Sequence, residues 1–177
     1  MSRLLMVIDM QNDFITGSLG TKEAVDIVPS VVERIKEYKK AGEPIVFTRD
    51  THKKNYLDTL EGKNLPVEHC IEGTKGHDIC KEITDCVDLK DYTVYDKATF
   101  GSSEFAADLL DGFYEEVTDI LMVGLCTDIC VISNAMVAKT FLTEAKVAVD
   151  SKACAGVTVE SHNNALDAMK MCQIEII

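Results

Sequence analysis

Short unbroken apolar runs, each ending on a polar or charged residue, constrain this chain more than any other feature. Leu4-Leu5-Met6-Val7-Ile8 stops at Asp9, Pro44 to Thr48 at Arg49-Asp50, and Tyr92 to Tyr95 at Asp96-Lys97. Ile120 to Leu125 and Val147 to Val149 before Asp150 continue the series, and Ile174 to Ile177 reads as a closing strand. A short apolar run without alternation suits a strand covered on both faces, as in a parallel sheet. Helical periodicity fills the intervals. Val28, Val31, Ile35 and Tyr38 recur at three- and four-residue steps, with Pro29 expected in the first turn and Gly42 as the stop. Ser102 or Ser103 is placed to cap a helix through Leu110, Asp128 to about Leu142 reads as helical, and Thr158 to about Met171 as the last helix. This alternation predicts an α/β fold, three-layer αβα, around a doubly wound, mainly parallel six-stranded sheet in a single domain over residues 1–177.

Charge and composition narrow the partners. The 177 residues carry 18 Lys+Arg against 30 Asp+Glu, a net charge of -12, with 46% hydrophobic residues. That balance repels phosphate backbones, and there is no basic cluster with interleaved aromatics, so nucleic acid is not an expected partner. A chain of this length buries ~70% of its unfolded surface and needs no disulfide or structural metal to fold. No run approaches the ~20 apolar residues of a membrane span, and Met1-Ser2-Arg3 opens no secretory leader. The seven cysteines are odd in number and lack paired spacing, which fits a reducing, cytoplasmic setting.

In doubly wound sheets ligands bind beyond the carboxyl ends of the strands, at a topological switch point. Asp9, Asp50, Lys97 and the turn Gly124 to Cys130 all fall at such ends. Cys130 is the candidate nucleophile, because a cysteine in or near a first helical turn is expected to have a lowered thiol pKa. Cys126 remains an alternative nucleophile. Asp9 and Lys97 read equally well as a rim ion pair or as the base and the cation that a reactive thiol needs. Residues 51–75 show no period, and a loop that long in a compact domain is often functional. Asp50, His52, Glu61 and His69 on or beside it suit zinc, manganese or iron better than calcium or magnesium. His77 reads as a surface residue and His162 as structural. Phe14 and Phe100 are candidate walls of a ring pocket. Gly17-Ser18-Leu19-Gly20 and Gly124-Leu125 match no nucleotide-binding loop.

Six ordered stretches resemble the isochorismatase-like cysteine hydrolases, and within them the nicotinamidases. They are Val7 to Phe14, Thr48 to His52, His69 to Gly76 with its H-C-x-x-G-T-x-G spacing, Lys97 after a strand, Gly124 to Val131, and Asp150 to Ala155 followed by Glu160 and His162. The resemblance implies a triad of Asp9, Lys97 and Cys130. It also implies a non-proline cis peptide before Cys126 and an oxyanion hole from the backbone N–H groups of Cys126 and Cys130. It further implies a divalent metal, zinc foremost with manganese or iron as alternatives, on Asp50, His52 and His69 with Glu61 as a further ligand. The expected substrate pocket is Phe14, Leu19, Phe100, Leu125 and Ile129, and the expected assembly a homodimer or homotetramer.

Two departures from the family pattern stand out. Asn55, Tyr56 and Leu57 occupy the place where many relatives have a third histidine, and Leu65-Pro66-Val67-Glu68 replaces a common Trp-Pro-x stretch. The implied activity is hydrolysis of a small carboxamide, nicotinamide, to the acid and ammonia through a thioester. The alternatives are a metal-free relative acting on another amide or a vinyl ether, a non-catalytic ligand-binding or assembly module that keeps the fold, and a thiol redox protein using Cys126 and Cys130.

Overall fold

The computed structural model describes residues 2–177. Six strands, β1 (Ser2–Ile8), β2 (Ile45–Asp50), β3 (Thr93–Lys97), β4 (Val117–Leu125), β5 (Lys146–Ala155) and β6 (Glu175–Ile176), form one sheet in the order β3-β2-β1-β4-β5-β6. Every neighbouring pair is parallel. The helices are α1 (Asn12–Ile15), α2 (Lys22–Ala41), α3 (Leu60–Asn64), α4 (Lys81–Thr84), α5 (Ser103–Leu110), α6 (Ile132–Phe141) and α7 (Val159–Met171). Among the described residues, no helix is long and apolar enough to cross a membrane.

The unbroken apolarity of the strands follows from covering both sheet faces. Along β1, Leu5 and Val7 point into a core shared with α2 and Ile83 of α4, while Leu4, Met6 and Ile8 point into a core shared with α5, α6 and α7. The same period of two divides β4, with Leu121 and Val123 on one side and Ile120 and Met122 on the other. This is the three-layer α/β arrangement expected from the sequence, with a sheet parallel throughout.

The start of α2 differs from expectation. Thr21 caps it by accepting the Ala24 N–H, so Pro29 lies in the helix interior rather than in its first turn. There it removes one helical hydrogen bond, while the stripe Ala24, Ile27, Val28, Val31, Ile35 and Tyr38 holds the helix on the sheet. Gly42 ends it with a left-handed φ of 69°. β5 runs well past Asp150, to Ala155. The helix expected from Asp128 begins instead as a π-helical turn, Thr127–Val131, that leads into α6.

From the edge strand β3 the chain returns to start β4 beside β1, so the strand order reverses between β1 and β4, the switch point of the fold. Their approach is close where Ile8 pairs with Gly124. Gly124 has φ 119°, and a Cβ there would overlap the Ile8 backbone, so both space and conformation require glycine.

Candidate active site

Two strand ends and one turn converge beside this switch point. Asp9 follows β1 with φ 48°, Lys97 closes β3, and Cys130 lies in the π-helical turn after β4. Lys97 Nζ is 2.6 Å from Asp9 Oδ2 and donates to Cys130 Sγ at 3.3 Å. Thr48 on β2 donates its hydroxyl to Asp9 Oδ1 at 2.6 Å and accepts the Asp9 N–H at 3.2 Å. Thr48 thus takes Oδ1, and the Lys97 ammonium stands beside Oδ2.

All three groups are buried, and burial sets their protonation. The Cys130 thiol is pushed well above its ordinary range by burial and then by the Asp9 carboxylate, against the opposing pull of Lys97. The expectation of a thiol lowered by a helix start therefore fails, because desolvation outweighs the local turn. Burial also raises Asp9, partly offset by Lys97 and reinforced by Asp50. Burial works against the Lys97 charge, but the carboxylates of Asp9 and Asp50 hold the ammonium charged. The resting arrangement is a neutral thiol, a carboxylate more basic than usual and a fixed cation. Such a set can move a proton from sulfur to carboxylate without carrying net charge in or out.

The turn that carries Cys130 is built on Cys126. The Leu125–Cys126 peptide is cis, and the Cys126 carbonyl accepts the N–H groups of Ile129 and Val131, both at 3.1 Å. Asn134, four residues past Cys130 on α6, donates Nδ2 to the Cys130 carbonyl at 2.8 Å and accepts the Ser102 N–H at 2.9 Å. It ties the turn to the segment that follows Lys97. Thr48 and Asn134 escape a reading for reactive residue types, although a polar Asn134 between the apolar positions Val131, Ala135 and Ala138 is a visible signal.

Beside this set, the ligand atoms of Asp50, His52 and His69 lie within 4.8 Å of one another, all three residues buried. Asp50 Oδ2 is 2.9 Å from His52 Nε2 and 3.4 Å from His69 Nε2. Its other oxygen is 3.7 Å from Lys97 Nζ, so one carboxylate faces both groups of residues. His69 donates Nδ1–H to the Val67 carbonyl at 2.8 Å, which leaves Nε2 as the inward acceptor. His52 Nε2 is buried without a hydrogen-bond partner. An orphaned imidazole nitrogen beside a second imidazole and an anionic carboxylate fits a borderline divalent ion. Glu61 Oε1 stands 3.7 Å from His52 Nε2 and 3.9 Å from His69 Nε2, at the edge of the trio.

Tyr56 fills the remaining wall. Its ring centroid is 4.6 Å from that of His52 and 5.0 Å from that of His69, while its hydroxyl turns away to donate to the Leu65 carbonyl at 2.9 Å. Of the expected pocket residues, Phe14 packs 5.6 Å from the His69 ring, Leu19 and Ile129 are half-buried, and Phe100 is 51% exposed. Leu125 is sealed in the core. His77, expected on the surface, is buried, with Nε2 2.8 Å from the Thr51 hydroxyl. His162 Nδ1 pairs with the Thr127 hydroxyl at 2.8 Å, a structural contact below the turn.

The profile of the Isochorismatase domain matches residues 3–177. The Nicotinamidase of Schizosaccharomyces pombe is 27% identical over 206 aligned positions, spanning 98% of this chain and 91% of that protein. The structure of the pyrazinamidase of Pyrococcus horikoshii in complex with zinc superposes with a TM-score of 0.83 at 30% identity, covering 100% of this chain and 99% of that one. The pyrazinamidase/nicotinamidase of Streptococcus mutans gives a TM-score of 0.84 at 27% identity, over 99% and 100% of the two chains.

Proposed function

Because the chain belongs to the isochorismatase family and is a nicotinamidase-like hydrolase of amide C–N bonds, we propose that it converts nicotinamide to nicotinate and ammonia through a thioester on Cys130. The observation that carries this reading is the adjacency of two sets of residues. Lys97 Nζ lies 2.6 Å from Asp9 and 3.7 Å from Asp50, and Asp50 in turn faces His52 and His69.

The reaction begins with proton transfer from the Cys130 thiol to Asp9 and attack of the sulfur on the carboxamide carbon. The charge that develops on the carbonyl oxygen is met by the backbone N–H groups of Cys126 and Cys130. Loss of one such donor typically lowers the rate ~100- to 1000-fold. Collapse of the tetrahedral adduct breaks the C–N bond, and the proton held by Asp9 leaves with ammonia. Water then attacks the thioester as Asp9 takes one of its protons, and that proton returns to sulfur when the acid departs. Throughout, Lys97 remains charged and offsets whichever of Asp9 and Cys130 is anionic. Asp50, His52 and His69, with Glu61 at the edge, would hold a divalent ion, zinc foremost. When bound, that ion supplies a Lewis-acidic anchor for a ring nitrogen of the substrate.

The test is ammonia release over a panel of amides, with the metal content of the same preparation measured. Turnover of nicotinamide by protein carrying about one divalent ion per chain is the expected result. Turnover of a carbamoyl amide alone, by protein free of metal, would replace this reading with that of a metal-independent relative.

A further inference from the structure

Gln11 is completely buried, and its amide reaches backbone groups far along the chain. Its Oε1 accepts the Asp50 N–H at 2.7 Å, while Nε2 donates to the Asp50 carbonyl and to the His77 carbonyl, both at 2.8 Å. A primary amide has two N–H donors, and here both are used. Because the N–H and the C=O of the same residue are gripped together, the peptide units on either side of the Asp50 Cα cannot rotate freely. That constraint fixes the Cα–Cβ direction from which the Asp50 carboxylate projects.

Two residues further on, Asp13 holds the second ligand-bearing loop. Its Oδ2 accepts the Cys70 N–H at 2.8 Å, and Cys70, directly after His69, adopts a left-handed φ of 47°. The Asp13 N–H donates to the Gly76 carbonyl at 3.0 Å, and a Cβ on Gly76 would run into the Asp13 carboxylate. Between them, Asn12 donates Nδ2 to the Lys75 carbonyl at 2.7 Å. The segment that starts at Asp9 therefore clasps both the end of β2 and the loop that carries His69.

We propose that Gln11 and Asp13 are positioning residues of the metal site: Gln11 sets Asp50, and Asp13 sets His69. One short segment then registers the metal ligands against the carboxylate that handles the proton. This rests on the reading of Asp50, His52 and His69 as metal ligands.

The experiment measures zinc affinity of the full-length protein by competition with a chromogenic chelator. The proteins compared are wild type, Gln11→Glu, Gln11→Met, Asp13→Ala and Asp13→Asn. Arg34→Leu serves as a destabilised control, since it removes the 2.7 Å ion pair between α2 and Asp150 on β5. Gln11→Glu turns an oxygen toward two carbonyls, and it and Asp13→Ala are expected to weaken zinc binding about 10- to 100-fold. Asp13→Asn keeps an oxygen that can accept the Cys70 N–H and recovers most of the affinity, and Arg34→Leu binds zinc as wild type does. Gln11→Glu, Gln11→Met and Asp13→Ala proteins that lose stability yet bind zinc like wild type overturn the proposal, because a merely structural role predicts that result. If the Gln11 variants fail to fold, the Asp13 pair decides. A wild type that binds no zinc, manganese or ferrous ion overturns the metal reading itself, an outcome distinct from unchanged affinity in the variants.

Discussion

The Lys97 ammonium and the Asp9 carboxylate lie 2.6 Å apart with their side chains 1% and 0% exposed, so each is the other's main compensation for leaving water. Removing one partner of a buried pair leaves an uncompensated charge, at a cost of about 3–5 kcal/mol. Lys97→Met is therefore expected to lower unfolding stability by that order and to abolish turnover. The double variant Asp9→Asn, Lys97→Met removes both charges and is expected to regain much of the stability with no activity. Urea unfolding of the three proteins checks this, and a single variant as stable as wild type would contradict a charged pair.

The pH profile follows from the direction of the Asp9 shift. Turnover requires the carboxylate form, and burial raises its pKa above the ordinary 3.8 despite Lys97. As pH falls through that raised value Asp9 is protonated, the thiol loses its base and the rate drops. The acid limb of kcat/KM is expected above the range of a free aspartate, and a limb at or below 3.8 would exclude Asp9 as the base that titrates it.

The sheet and its reactive rim are legible in the sequence because the relevant forces are local. An apolar run ending in charge marks both a buried strand and the point where it leaves the core, so Asp9, Asp50 and Lys97 announce themselves. Other features depend on distant atoms and leave no periodic trace. Pro29 is misplaced because the packing of Ala24 and Ile27 extends α2 past it. His77 looks like a surface residue until Thr51 and the Gln11 amide are seen to enclose it. The Cys130 thiol is misjudged for the same reason, since a helix terminus is a local argument and desolvation is a property of the whole fold. Gln11 belongs to a recognisable motif, yet its role appears only when β2 and the 69–77 loop are folded against it.

Metal removal offers a third check. His52 Nε2 is buried without a hydrogen-bond partner, and an ion there would satisfy it. Chelator-treated protein is expected to lose amide hydrolysis and to unfold at a lower temperature, with zinc restoring both. A ligand at about 100 times its Kd stabilises the folded state by ~2.7 kcal/mol. Thermal unfolding with and without zinc reads this directly, and an unchanged Tm at saturating zinc would argue against a site on Asp50, His52 and His69.

Tyr56 separates packing from hydrogen bonding at the same site. Its ring is fully buried against both imidazoles, and its hydroxyl makes one bond, to the Leu65 carbonyl. Tyr56→Phe keeps the wall and loses that bond, so a stability change of about 1 kcal/mol is expected with zinc affinity unchanged. Tyr56→Ala empties the space behind His52 and His69, with an expected loss of roughly 3–5 kcal/mol. Freed from the ring, the imidazoles lose their fixed orientation, and zinc binding weakens along with stability. The two variants therefore diverge in affinity if Tyr56 acts through its ring. Equal zinc affinity in both, measured by chelator competition, would show that the imidazoles are oriented by their backbone loops alone, with Tyr56 serving only to fill volume.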